Sequence, residues 1–565
     1  MSKSITATAA ALFLTLAFAA SASAAEPTMP LRDVHQGMRC TGLSVVRGTT
    51  ISSFDVEVLD VIAAESSSGG PRILVRVSGP AVEPGGIGAG FSGSPVYCRD
   101  SAGVRRNAGA ISAGVGDYGN LIALVTPIES VLGESPTPPA EARRDPALLR
   151  SARSLAGPLT ETGLSTRPRR LLVRAARRAG LPLVTVPSGP LAGYPVQTLR
   201  PGAAVSTTFA SGDISLGAVG TVTYRDGANV WAFGHPLDDI GPRSLMLQDA
   251  YVFSVIPNPI SSEDFGLGTY KLASSAGHTV GTLTNDADSA VVGRVGPAPR
   301  TAALRATAKD LRTGRAGVVN AEMADEHPLG IGTGAATTAP LAAGQAVDDV
   351  VHSLQPVTLS MCVRFRIAQR KPRLGFCNDY FSTDDAFLDL TDAATLVDSY
   401  DFSPLTLQSL VVRTRLTRGV KEDVLLRGSA PRRVRPGQRI RVRLVVRRRG
   451  RGTNRRLSFR MRLPRSLRPG RRSIVLSGTG SSGDAADELA DELVTLLIDG
   501  TGDAEEEDLP DAHSIGQLSA LVSGFHHGQG IRARFRHRGS RRLVYENGRV
   551  KFTGSVRIPL RVRRR

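Results

Sequence analysis

Between residues 38 and 130 the chain is divided into runs too short for helices and too regular for loops. Segments 41–46, 54–61 and 72–77 are β-branched, partly alternating, and punctuated by Gly or Ser. After a glycine-rich turn the pattern returns at 96–98, 108–114 and 121–127, and again from 190 to 296. With 60 glycines and 41% hydrophobic residues, such a chain folds as a globular β-rich protein with many turns. Its 565 residues suffice for three or four units of roughly 150 residues each.

The turn inside the first β region reads Gly90-Phe91-Ser92-Gly93-Ser94-Pro95, preceded by Gly85-Gly86-Ile87-Gly88-Ala89. A serine between glycines, followed by a small residue and Pro, is how chymotrypsin-like peptidases hold a nucleophile. Gly90 lets its N–H turn inward, where it and the N–H of Ser92 would bind the oxyanion of a tetrahedral intermediate. The same residues also make an ordinary Gly/Ser turn. A serine nucleophile further needs a base, usually a histidine held by a third group. Of nine histidines, His235 is the most constrained, fixed by Gly234 and Pro236 at a strand end with Asp238 and Asp239 close behind. Paired with the serine turn, it reads as a base more than as a structural histidine.

Residues 1–24 read as an export signal, with Lys3, an apolar stretch at 10–20, and Ala22-Ser23-Ala24 before Ala25. The mature protein is expected to be secreted, with cell-wall association as a variant. Cys40, Cys98, Cys362 and Cys377 then read as two disulfides, paired by neighbourhood as 40–98 and 362–377, although four cysteines allow three connectivities. No Cys-x-x-Cys or His/Cys cluster suggests zinc, and no metal or organic cofactor is expected. The net charge of +19, nearly all arginine, suits acidic envelope polymers or anionic lipid surfaces. Nucleic acid is disfavoured by export, 5% aromatics and a single Trp.

The organisation expected is a serine-bearing module at 25–135, a linker at 136–189, a histidine-bearing module at 190–300, a mixed α/β extension at 301–404, and an arginine-rich β-sandwich at 405–565. The linker carries a basic amphipathic helix near 169–178, read as packing between the halves rather than lying on a membrane. In the last module Ile440, Val442, Leu444 and Val446 alternate with Arg439, Arg441, Arg443 and Arg447, one apolar face and one basic. An acidic stretch at 484–511, with a helix at 489–498, reads as neutralising that face, with ligand binding as the alternative.

These residues resemble the SpoIVB-type serine peptidases, the stage IV sporulation protein B peptidase domain of the chymotrypsin-like clan. The resemblance covers about residues 35–300. Phe54-Asp55-Val56-Glu57-Val58 is similar to the family's Phe-Asp-(Ile/Val)-Glu-(Ile/Val) strand, and 85–95 to its Gly-Gly-Ile-x-x-Gly-Met-Ser-Gly-Ser-Pro turn. Thr126-Pro127-Ile128-Glu129 matches a following barrel segment, and Phe233-Gly234-His235 with Asp239 resembles Leu-Gly-His-x-x-x-Asp. The resemblance implies a chymotrypsin-like double β-barrel for this region; with the alternation after 405, the chain reads as a mostly β protein whose double barrel is followed by an immunoglobulin-like β-sandwich. It implies Ser92 as nucleophile, His235 as base, Gly90 and Ser92 amides as oxyanion donors, and a protein or peptide as substrate. Two departures stand out. The histidine module here follows the serine module, and 76–80, where the family keeps its acid, holds no carboxylate. Asp239, Asp238, Asp55 and Glu83 are the substitutes weighed. The alternative to an enzyme is a non-catalytic envelope-binding protein on a degenerate peptidase scaffold.

Overall fold

The computed structural model describes residues 25–563, except 64–69, 117, 134–136, 138, 140, 145–152, 155–158, 179–182, 187–192, 261–267, 352–355, 370–373, 451, 480–511, 527 and 536–541. The export signal and the acidic stretch with its expected helix therefore lie outside the described residues.

Six strands form the first barrel: β1 (Arg39–Arg47), β2 (Thr50–Ala63), β3 (Arg72–Ser78), β4 (Pro95–Arg99), β5 (Arg105–Gly114) and β6 (Ile122–Pro127). They close in the order β1-β4-β5-β6-β3-β2, with β2 returning to β1. Their alternation is that of a half-buried strand. On β2, Phe54, Val56 and Val58 enter the barrel, while Asp55 is exposed and Glu57 half-buried.

The second barrel uses β7 (Ala204–Gly212), β8 (Ser215–Asp226), β9 (Asn229–Ala232), β10 (Gly241–Asp249), β13 (Thr279–Ala287) and β14 (Ala290–Val295). It closes as β7-β8-β9-β14-β13-β10 and back to β7. Between β10 and β13 a hairpin of β11 (Tyr251–Ile256) and β12 (Tyr270–Ser274) leaves the barrel and lies on the first one. Gly48 of the first barrel exchanges backbone hydrogen bonds with Val252 of this hairpin, at 2.6 and 3.0 Å. The double barrel of the sequence reading is thus present, with its halves joined by a shared hairpin.

The expected boundaries at 300 and 405 are crossed by continuous sheet. Ala210 to Gly212 of β7 pair with 321–323 of the strand Ala316–Ala324. The strand Leu407–Arg418, assigned from sequence to the C-terminal module, runs parallel to Thr301–Asp310 and antiparallel to Val357–Ile367. Buried alternating residues such as Leu410 and Val412 pack into the core shared with these strands, so the sheet outcompetes the sandwich for this segment. The sandwich begins at Glu422, with a four-stranded sheet and a five-stranded sheet enclosing a separate core.

The disulfides are Cys40–Cys98, joining β1 to β4, and Cys362–Cys377, joining two neighbouring strands. Both link residues paired directly across a ladder, and they indicate an oxidising, extracytoplasmic setting. The basic helix of the linker runs Thr166–Arg178. Leu172 is fully buried in the core shared with the helix Ala335–Asp348, Arg167 pairs with Asp348 at 3.4 Å and Arg169 reaches the buried Glu161 at 2.8 Å, so the helix packs on the extension, not between the halves as expected. No helix among the described residues is long and apolar enough to cross a membrane.

Candidate active site

Phe91 anchors the serine turn. Its fully buried ring meets Phe54 edge-on inside the first barrel, with ring centres 6.5 Å apart. Gly90 has φ +90° and Gly93 φ +88°, backbone that L side chains rarely adopt. A Cβ at Gly93 would also run into the Thr221 carbonyl and the Phe233 amide of the second barrel, so only glycine permits this contact.

The peptides on either side of Gly90 and Ser92 are held by their carbonyls. Ala89 O accepts from the Lys271 N–H at 2.9 Å, and Phe91 O accepts from the Ser94 N–H at 2.9 Å. In a trans peptide the N–H points opposite to the carbonyl. The amides of Gly90 and Ser92 therefore point away from those bonds. Neither has an acceptor among the described residues, whereas the amides of Ala89, Phe91, Gly93 and Ser94 all do. Ser92 is fully buried, and its Oγ has no hydrogen-bond partner among the described residues. Dehydrating a hydroxyl without replacing its hydrogen bond costs about 1–3 kcal/mol.

The backbone ties the serine turn to the histidine loop. The Ser92 carbonyl accepts from Thr221 N–H at 2.8 Å, and the Thr221 carbonyl accepts from Phe233 N–H at 3.3 Å, two residues before His235. Phe233 and Gly234 both have positive φ, +68° and +70°. For a buried aromatic residue this conformation costs on the order of 1 kcal/mol or more. Thr126 of the first barrel donates to the Gly234 carbonyl at 2.7 Å, fixing the loop from the opposite side. His235 is 7% exposed. Its Nδ1 lies 2.6 Å from the Pro236 carbonyl, which can only accept, so Nδ1 carries the proton and Nε2 the lone pair. That is the tautomer a general base needs.

The carboxylates weighed as the third group are engaged elsewhere. Asp239, the expected acid, is exposed with a positive φ (+59°), and its carboxyl is held above the usual range by partial desolvation and by a hydrogen bond with Asp288. Asp238 pairs with Arg243 at 2.8 Å, and Glu83 accepts from the Gly79 N–H at 3.3 Å. Asp55 stands exposed on β2. The loop is shaped instead by Asp286, whose buried carboxylate accepts from the amides of Leu237, Asp238 and Asp239 at 2.6, 2.6 and 2.8 Å. The place of an orienting acid on Nδ1 is thus taken by a backbone carbonyl.

Comparison of the chain with family models, curated proteins and solved structures found no match.

One residue that the sequence reading passed over stands beside the turn. Lys271, on β12, is fully enclosed, and burial pushes its amine down to about 7. Its Nζ contacts Ser44 Oγ at 2.7 Å and Thr221 Oγ1 at 3.0 Å, and lies 4.7 Å from the Phe91 ring centre. Ser94 donates to Ser44 at 2.9 Å, and Thr221 donates to the Gly90 carbonyl at 3.0 Å. The sequence carries a trace of it, because only six of the 70 basic residues are lysine and this one alternates in phase with the buried Ala273.

Two surface depressions, of ≈ 510 Å³ beside Arg300 and Arg366 and ≈ 350 Å³ beside Ile51 and Gln197, include neither Ser92 nor His235 in their walls.

Proposed function

We propose that this chain is an exported serine peptidase of the SpoIVB type that hydrolyses peptide bonds by acyl transfer. Ser92 Oγ attacks the carbonyl carbon, His235 Nε2 takes its proton, and the amides of Gly90 and Ser92 receive the oxyanion. His235 then returns the proton to the leaving amine, and water releases the acyl group by the same steps in reverse. The observation that carries this reading is the pair of amides, both without an acceptor among the described residues while the carbonyls of their peptides are pinned on the far sides. An ordinary turn has no reason to leave two buried donors unused.

The Pro236 carbonyl holds the imidazole in the right tautomer but brings no negative charge. A triad lacking its acid loses as much as about four orders of magnitude in turnover. A slow enzyme is therefore expected, one suited to few cuts. The arginine face of the C-terminal sandwich would keep it near an acidic envelope polymer.

The burial of Ser92 favours a second reading, a peptidase scaffold that binds without cutting. Labelling of the purified, disulfide-intact protein with a fluorophosphonate probe separates the two. Labelling at Ser92 that is lost in Ser92→Ala and reduced at least about 100-fold in His235→Ala supports the enzyme. A folded protein that stays unlabelled after prolonged incubation favours the scaffold.

A further inference from the structure

We propose that Lys271 is a positioning residue of this site: through Thr221 it holds the turn at 89–92 in the form that turns the Gly90 and Ser92 amides toward an oxyanion. The inference rests on the serine reading for its catalytic meaning, but its structural content can be tested separately.

Lys271 meets the turn in three ways. Its backbone N–H fixes the Ala89 carbonyl, which directs the Gly90 amide. Its aliphatic stem packs on Gly90, where an added Cβ would sit 3.0 Å from the Lys271 Cβ. Its Nζ contacts the Thr221 hydroxyl, leaving that hydroxyl's own proton for the Gly90 carbonyl. The carbonyls before and after Gly90 thus both lead back to one residue, the first through its backbone N–H and the second, by way of Thr221, through its side chain. The amine sits among hydroxyls, and no carboxylate pairs with it among the described residues. Burying a cationic group without an opposite charge weakens a fold. A methionine would fill similar space without that penalty, so the fold alone gives no reason for lysine here. A destabilising group retained beside a candidate site is the pattern of a functional residue.

The test compares the wild type with Lys271→Met, and with Thr221→Val and Thr221→Ser. Thermal unfolding, backbone hydrogen exchange of the peptide spanning 85–95, and fluorophosphonate labelling are measured on each. The expected result is a Lys271→Met protein at least as stable as the wild type in which this peptide exchanges about tenfold faster, labelling at saturating probe falls at least about tenfold, and the half-saturating probe concentration changes little. Thr221→Val is expected to reproduce the faster exchange, and Thr221→Ser to restore wild-type behaviour. A purely structural lysine would instead lower stability while leaving the local exchange in step with the global loss. Unchanged exchange at 85–95 in both Lys271→Met and Thr221→Val overturns the proposal, whatever the labelling. Faster local exchange in a protein whose wild type never labels would leave the positioning role standing and remove the peptidase reading.

Discussion

Gly93 lies where the two barrels approach each other closely, and that leaves no room for a side chain. Gly93→Ala would force a Cβ into the Thr221 carbonyl and the Phe233 amide while keeping a positive φ. The expected loss is at least about 3 kcal/mol, read as a shift of the denaturant midpoint, with the probe reactivity of Ser92 lost as well. Lys271 acts in the opposite sense. Its ordinary pKa of 10.5 is lowered to about 7 in the folded chain by burial. Between those values the unfolded chain binds the extra proton, so stability rises with pH across this window, and the penalty is full below about 7. Lys271→Met should therefore be more stable than the wild type by a few kcal/mol, on the order of 3, at neutral pH and below. The advantage should shrink as pH is raised toward 10, which chemical unfolding at several pH values will show. At this scale Ser92, Gly90 and His235 were legible because nucleophile turns and base loops are local in sequence. Lys271 was not, because its meaning lies in Ser44 and Thr221, more than 200 and exactly 50 residues away along the chain.

Among the elements, the six strands of the first barrel follow from the segments 41–46, 54–61, 72–77, 96–98, 108–114 and 121–127, with ends displaced by a few residues. The strand Leu407–Arg418 was misassigned for a physical reason. Its alternation fits any half-buried strand, and pattern alone does not say which sheet receives it. The choice of partner is a tertiary matter, decided by pairing with Thr301–Asp310 and Val357–Ile367. The Cys40–Cys98 bridge ties β1 to β4, the strand that follows the serine turn, and it closes a loop of 58 residues. Replacing both cysteines by serine should cost about 2–4 kcal/mol in unfolding free energy. It should also slow labelling of Ser92 beyond what Cys362→Ser with Cys377→Ser does, because the second bridge lies in a sheet remote in sequence from the turn.

On the scale of the molecule, the chain is less modular than its sequence suggests. The helix Ile515–Gly524 belongs by order to the C-terminal part, yet Leu518 and Val522 are fully buried in the core that includes Phe376 and Leu390. The ring of Phe525 lies 5.5 Å from that of Phe376, and His526 Nδ1 donates to the Cys377 carbonyl at 2.5 Å. Burial of two such aliphatic side chains is worth about 1.5–3 kcal/mol each. A protein ending after Arg418 should thus melt several degrees lower than the full chain, or aggregate, in a thermal scan. Leu518→Asp in the full chain should reproduce part of that loss.

The docked helix also changes what a broken chain would look like. A protease that cut at 419–421, between the last strand of the barrel sheet and the first of the sandwich, would sever the backbone there but not the helix from its pocket. The two pieces would travel together through a sizing column as one particle, and only a denaturing gel would reveal the break.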